Sequence, residues 1–463
     1  MTTTSNSEER GQFGSNFGFI MAAAGSAVGL GNIWRFPYIT AANGGGAFVF
    51  VYILCVVLIG APLLFNEMSL GRFTGKNPIG AFKDTGANKF WIFIGAILAV
   101  MVSFFVLSYY ALIAGWTVGY IFKTLISDTT TFEVFASQSG MVIGLMAVFL
   151  VITVLIVLGG VSGGIEKASK ILMPLLFFMV FVVIIRSVTL EGASEGIKYY
   201  LSPDFSKING RTILAALGQA FFSMSIGWGI MITYGSYLKK GSNIISGGLW
   251  VGFMDTGVAL LGGLMVFPAV FAFGIEPNQG PALVFSVLPI VFSQMPGGSI
   301  VGAIFFLLLS VAALTSAISM LEVPASYLID EKKWNRKKAA IVTAILVFIV
   351  GLPSALSYGG SEFFTNMSIP RIDGGYTSNG WFGIMDYYFG SLFIVIVALA
   401  TSVYVGWVMK IEDIKTEIDD GSTLFSKPLV GNISIAIIWK FFIKFVCPVV
   451  IALVFLDMTG IFG

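Results

Sequence analysis

The chain has 463 residues, of which 57% are hydrophobic and 11% charged, with a net charge of +2 at pH 7. Soluble domains carry about a quarter charged residues, so this composition describes a polytopic, all-α membrane protein, and the near-neutral balance gives no electrostatic footprint for nucleic acid. The absence of histidine removes His-based zinc and haem ligation, His-dependent catalytic triads and His proton relays together.

The opening residues, MTTTSNSEERGQFG, are polar and lack the basic region and short apolar core of a cleaved signal, so 1–14 is expected to be a cytoplasmic tail. Eleven apolar stretches follow, each long enough to cross a bilayer. They lie near 15–40, 44–70, 90–123, 141–160, 165–188, 212–238, 244–273, 298–328, 338–357, 382–409 and 434–460. Cys55 and Cys447 both fall inside such stretches and imply no disulfide framework. Residues 190–211 and 359–381 read as polar outer loops. The proline-rich segment 274–297 is too broken to span and long enough to dip toward the outer mouth as a lid. With the N-terminus inside, seventeen Lys and Arg fall in the inner loops and six in the outer ones. The positive-inside rule therefore places the N-terminus in the cytoplasm and, after eleven spans, the C-terminus outside.

Span 1 holds the most informative stretch, GSAVGLGNIWRFP at 25–37. Three glycines, an asparagine, an arginine and a proline weaken a helix, and lipid cannot satisfy the backbone groups so freed. A break is expected at 25–31, with carbonyls turned inward to hold a cation and a half-helix N-terminus that favours an anion. Span 6 carries a second interruption, GQAFFSMSIGWGIMITYG at 218–235, with small residues at 223, 225, 227 and 229. Corresponding breaks five spans apart point to a five-plus-five inverted repeat with a site at mid-membrane. The chain then divides into 15–188, the outer loop 189–211, 212–409, and 410–463 with an inner loop and the last span.

The stretches GSAVGLGNIWRFPYITAANGGGAF at 25–48, PLLFNEMSLGR at 62–72, SYYALIAGWT at 108–117, GQAFFSMSIGWG at 218–229 and ALTSAISMLE at 313–322 resemble, in the same order, the neurotransmitter:sodium symporters, and among them the bacterial LeuT- and MhsT-like amino-acid transporters. The resemblance implies the LeuT fold, with spans 1–5 and 6–10 inverted on one another, spans 1 and 6 unwound, and an eleventh helix added. It also implies two sodium sites, a cation that takes about five or six hard oxygen ligands. One would use Ala27, Asn32, Ser223 and Asp255, completed by the substrate carboxylate. The other would use Gly25, Val28, Ala312, Thr315 and Ser316. Read without the family, the Thr315–Ser316 pair is equally a back-bonded packing surface.

In the same way the resemblance places a substrate carboxylate on the amides of Leu30 and Gly31 and the hydroxyl of Tyr110. It places the ammonium on the carbonyls of Ala27, Phe222 and Ser223 and on Ser225. Val106, Phe222, Trp228, Ser316 and Met320 would line the side-chain pocket. That wall holds no acid or base, so a charged side chain would be desolvated unpaired, and neutral, apolar L-amino acids are expected. Taurine- or GABA-like zwitterions are the alternative.

Asp255 departs from the asparagine of LeuT-like pockets, and the serine that chloride-dependent relatives carry one turn on is Ala259 here. Asp255 is therefore expected to supply the fixed charge itself and to make chloride unnecessary. It can also take a proton on the empty return step, which would add proton antiport. Arg35 and Asp386 resemble an outer gate closed over the substrate, with Phe222 as the lid. Arg10 and Asp330 resemble an inner gate, flanked by Phe13, Ser236, Tyr237 and Glu322. Gly164 and Pro174 match the spacing at which relatives unwind span 5, and Glu67 reads as a structural carboxylate for the broken backbone. The expected partners are thus a neutral amino acid, sodium and the bilayer.

Overall fold

The computed structural model describes residues 11–276, 283–422 and 424–461. Nine of the described helices are long and apolar enough to cross a membrane, and the bent pair Asn16–Ala27 and Gly31–Ala42 makes a tenth. The remaining expected span consists of Gly210–Ser223 and Ile230–Gly235, neither long enough to cross alone. Polar side chains start many of the helices. Ser15, Asn77, Asn88, Asn209, Asn243 and Asn335 each accept a bond from a first-turn amide, which satisfies one of the orphan donors there.

The helices form an inner and an outer group. Spans 2, 7, 8 and 10 bury most of their apolar window, whereas spans 4, 5 and 11 leave most of theirs facing outward. Spans 3 and 8 share the most extensive contact. Spans 1 and 6 lie among the inner group: span 1 packs on span 7, and the inner half of span 6 packs on span 2. Both interruptions are real backbone features. Span 1 leaves the helix at Val28, which is extended, and turns by 47° before resuming at Gly31. In span 6 the helix ends at Ser223, and Ser225, Gly227 and Gly229 all take positive φ (55°, 82° and 72°) before it resumes at Ile230.

The segments expected to be loops hold more structure than their polarity suggests. The outer loop after span 5 carries the amphipathic helix Ala193–Leu201. The loop before span 10 carries Glu362–Thr365 and a bridge between Pro370 and Tyr376. The segment before span 8 is helical over 283–294, while 277–282 lie outside the described residues. After span 10 comes the helix Ile411–Asp419, with Glu412 and Asp413 at its N-terminus and Ile411, Ile414 and Ile418 buried on one face, followed by a small hairpin of Pro428–Val430 and Ile433–Ser434. The 3.6 spacing of three isoleucines and the acidic first turn explain a helix that overall polarity hides.

That helix is held to the rest of the protein by charge. Glu417 accepts from Arg72 Nε at 2.6 Å and from Lys240 Nζ at 2.7 Å. The Arg72 guanidinium, fully buried, also reaches the carbonyls of Ser242, Glu417 and Asp420. Breaking a buried pair from one side leaves a charge without its partner. Glu417→Ala is therefore expected to cost about 3 kcal/mol, the low end for such pairs, since backbone carbonyls still hold the guanidinium. A thermal melt of the purified protein checks this, and an unchanged midpoint would show the pair to be idle.

Candidate functional site at the two helix breaks

The breaks in spans 1 and 6 meet, and Asn32 is the hub of one cluster of oxygens. Its Oδ1 accepts from the Gly29 amide at 2.9 Å. Its Nδ2 faces Ser223 Oγ at 2.9 Å, the Asp255 carbonyl at 2.9 Å and Asp255 Oδ1 at 2.7 Å. Ser223 Oγ donates to Asp255 Oδ1 at 2.8 Å, and Tyr52 lies 3.5 Å from Asp255 Oδ2. Asn32, Tyr52 and Asp255 are completely buried, and Ser223 nearly so. A carboxylate this deep in a membrane protein is costly, which makes the cluster the candidate site for a cation or a proton.

A second oxygen cluster lies between the break and span 8. Thr315 Oγ1 donates to the Ala312 carbonyl at 2.9 Å and lies 3.4 Å from the Val28 carbonyl. Ser316 Oγ donates to the Ser26 carbonyl at 3.0 Å and lies 3.5 Å from that of Val28. Gly25 sits against Thr315, where an added Cβ would come within 3.2 Å. Thr315 is back-bonded, as its residue type allows, but the same rotamer turns its oxygen toward span 1.

Between the clusters, the Leu30 amide points at Tyr110 Oη, 3.3 Å away. Ser225 Oγ donates to the Ser26 carbonyl at 3.2 Å. Gly29 has no room for a side chain, since a Cβ there would lie 2.5 Å from Ser316 Oγ. Ala27, Val106, Trp228 and Met320 are buried. Phe222 is half-buried, crosses Trp228 edge-on at 5.4 Å between ring centres, and carries the Arg35 guanidinium 4.5 Å above its own ring. Glu67 accepts the Gly227 amide at 2.8 Å, tying span 2 to the loop of span 6.

The expected outer gate is not joined. Arg35 lies over Phe222 and lines a cleft of about 540 Å³ that extends to spans 10 and 11. Asp386 is exposed and accepts from Tyr109 at 3.0 Å, with no direct ion pair to Arg35. On the inner side the packing is closed. Phe13 is buried among Phe19, Tyr234 and Tyr237, and its amide donates to the Tyr237 carbonyl at 3.1 Å. Arg10 lies outside the described residues. Its expected partner Asp330 accepts from the backbone and side chain of Asn77 at 2.9 and 2.8 Å. Span 5 runs as unbroken helix from Val161 to Val188 through both Gly164 and Pro174. The unwinding expected there is absent from this conformation, and the chain departs from helix just before, at Gly160 with φ 77°.

Sequence reasoning missed several participants. Arg336, counted only as an inner-loop charge, clamps Glu322 with two bonds of 2.8 and 2.9 Å, and Glu322 also accepts Tyr237 Oη at 2.6 Å. Glu166 takes the Gly14 amide at 2.6 Å and Ser15 Oγ at 2.9 Å, anchoring the start of span 1 to span 5. Gln219 donates to the Gly31 carbonyl at 2.9 Å. Ser103 donates to the Trp228 carbonyl at 2.6 Å. For Arg336, Glu166 and Gln219 the available signal was the rarity of a charged or amide side chain in or beside an apolar span; Ser103 carries no such signal.

The sequence model of the sodium:neurotransmitter symporter family matches residues 10–134 and 129–461. The chain belongs to that family. Among relatives of this symporter is the uncharacterized sodium-dependent transporter YhdH of Bacillus subtilis, 39% identical over 97% of this chain and 98% of its own. Another is an uncharacterized sodium-dependent transporter of Haemophilus influenzae, 36% identical over 98% and 99% of the two chains. Among solved structures, the crystal structure of MhsT in complex with L-phenylalanine superposes with a TM-score of 0.85 at 38% identity, covering 97% of this chain and all of MhsT. The symporter therefore has the LeuT fold and is a multi-pass, sodium-dependent membrane transporter.

Proposed function

We propose that this symporter imports neutral, predominantly apolar L-amino acids by alternating access, driven by two sodium ions and without chloride. The observation that carries the reading is the buried oxygen cluster of Asn32, Ser223 and Asp255 at the meeting of the two helix breaks. The Asn32 amide nitrogen faces three oxygens there. A sodium ion at the same point would need Asn32 Oδ1 turned toward it, at the expense of the bond that Oδ1 accepts from the Gly29 amide. Ala27 and the substrate carboxylate would complete the first site. The carbonyls of Gly25, Val28 and Ala312, with Thr315 and Ser316, would form the second.

A carboxylate shared between ion and substrate makes each raise the affinity of the other. The MhsT complex with phenylalanine and the neutral wall of Val106, Trp228 and Met320 support an apolar side chain. The open cleft above Phe222 and the closed packing around Phe13 correspond to an outward-facing state, in which Arg35 and Asp386 have yet to close. The basic inner loops favour a cytoplasmic N-terminus, an outer C-terminus and residence in the cell membrane.

The deciding experiment is uptake into proteoliposomes under a sodium gradient with a panel of amino acids, with and without chloride and a pH gradient. Accumulation of neutral amino acids that needs sodium and ignores chloride is expected. Taurine- or GABA-like selectivity, or uptake indifferent to sodium, would overturn the reading. Tyr110→Phe removes one hydrogen bond to the substrate carboxylate. Bonds to charged groups contribute about 1.5–3 kcal/mol, so the KM for substrate should rise by about tenfold or more while the chain stays folded. An unchanged KM would remove Tyr110 from the site.

A further inference from the structure

The inner end of span 1 is held by a residue of span 5. Glu166 is buried, with 3% of its surface exposed. Its Oε2 accepts the Gly14 amide at 2.6 Å, and its Oε1 accepts Ser15 Oγ at 2.9 Å and Lys170 Nζ at 2.6 Å. Ser15 is the N-cap of the helix Asn16–Ala27, which has no acidic residue in its own first turn. Glu166 supplies that charge from the neighbouring span, at a place where helix amides without partners and the helix dipole favour an anion. Glycines make room for it. A Cβ on Gly14 would lie 3.3 Å from Glu166 Oε2, and one on Gly18 would overlap the carboxylate. At its other end the same stretch meets span 5 again, where a Cβ on Gly25 would lie 3.3 Å from Met173 Sδ. There the Ser26 and Val28 carbonyls face Ser316 and Thr315. One rod of 12 residues thus joins Glu166 to the second oxygen cluster.

We infer that Glu166 is a positioning residue for transport, holding the inner half of span 1 in the pose that binds sodium, and that Lys170 is the partner left to its charge when that half is released. This rests on the sodium-coupled, alternating-access reading given above. In that cycle the closed packing around Phe13 has to open, and Gly14 and Ser15, which bond Glu166, follow Phe13 directly in the chain. A buried carboxylate stripped of its partners is costly. Lys170 sits one turn along span 5, with its side chain 36% exposed, so it stays beside Glu166 whatever span 1 does. The carboxylate therefore has two states, clamped on span 1 and Lys170 together or on Lys170 alone. Sodium on the carbonyls of Gly25 and Val28 would favour the first state, and by linkage the first state favours sodium. The two side chains then act with opposite signs. Neutralising Glu166 loosens span 1 and weakens sodium binding. Removing Lys170 leaves the carboxylate dependent on span 1 and tightens both.

The test is labelling of a reporter cysteine, Ser242→Cys, in vesicles with the cytoplasmic face outward and sodium as the sole added ligand. Ser242 is 9% exposed and lines an inner recess with Phe13, Gly14, Ser15 and Asn16, and the native Cys55 and Cys447 are buried. Sodium should slow labelling by a membrane-impermeant maleimide. Glu166→Gln in the reporter background should raise both the labelling rate and the sodium concentration that halves it, by about fivefold or more, the low end for coupled sites. Ser15→Ala should move both the same way by less. Lys170→Met should move both the opposite way, by about twofold, whereas loss of packing alone would raise labelling in every variant. A Glu166→Gln protein with unchanged labelling and sodium dependence, or a Lys170→Met shift in the same direction as that of Glu166→Gln, would overturn the inference. Should Glu166→Gln fail to fold, the sign of the Lys170→Met shift decides. Labelling that ignores sodium in the reporter protein itself would instead overturn the sodium-coupled reading, and the inference with it.

Discussion

Asp255→Asn should abolish sodium-driven uptake in chloride-free buffer, with a loss of about a hundredfold or more. The carboxylate holds Asn32 and Ser223 together at 2.7 and 2.8 Å in a completely buried setting. A cation at this position has no other formal negative charge in the cluster to meet it. Removing one member of a buried charge pair costs about 3–5 kcal/mol, and each 1.4 kcal/mol is a factor of ten in affinity. Chloride is expected to restore part of the activity only when a hydroxyl is supplied beside it, because Ala259, one turn along, is apolar and buried. The double variant Asp255→Asn with Ala259→Ser should therefore respond to chloride where the single variant responds weakly. Uptake and sodium binding, each measured in chloride and in gluconate, check both statements. An Asp255→Asn protein that transports normally without chloride would show that the fixed charge is not what the first site requires. Proton antiport is tested on the wild type: internal acidification should accelerate the return step, and an unchanged rate would count against it.

Gly227→Ala should leave little or no active transporter. The residue sits at φ 82° in the loop that interrupts span 6, and an added Cβ would lie 2.4 Å from the Ile394 carbonyl on span 10. Positive φ alone costs a side chain about 1–2 kcal/mol. The collision is with backbone, which cannot swing aside as a flexible side chain can. The Gly227 amide also donates to Glu67, so shifting the loop to relieve the clash would detach it from span 2. Both contacts act on the segment that carries Ser225 and Trp228. Fluorescence-detected size exclusion and uptake distinguish the outcomes: a well-behaved protein with normal uptake would show that the loop has slack. By contrast, Gly257→Ala on span 7, where nothing lies within 4 Å of the new methyl, should be close to neutral.

The parts of this architecture that were legible in the sequence are those written in residue types a membrane span avoids. Glycines, an asparagine and a serine at mid-span located both interruptions, and an aspartate inside an apolar run identified Asp255. What stayed hidden depends on pairing across distance. Arg336 looks like any inner-loop charge until Glu322 and Tyr237 fold against it, and Glu166 looks like the flank of span 5 until the Gly14 amide reaches it. Ser103 is an ordinary small residue in a helix, and only the shape of the span 6 loop gives its hydroxyl a carbonyl to hold. Arg35 and Asp386, expected to close over the substrate through water, make no direct ion pair here, and sequence carries no record of how far apart two such side chains stand. The helix Ile411–Asp419 is hard to see in the sequence because its charge count conceals three isoleucines at helical spacing.

That last helix has a mechanical consequence. It leaves the chain directly after span 10, yet Arg72 and Lys240 rivet it to the ends of spans 2 and 6. In the alternating-access cycle proposed above, any shift of span 10 against those two elements would carry the rider with its rivets and leave the stretch to its leash. Only two pieces of covalent chain are available for that: the extended link at Met409 and Lys410 on one side, and the segment 420–434 with its small hairpin on the other. Shortening either should slow turnover without touching a single ligand of ion or substrate.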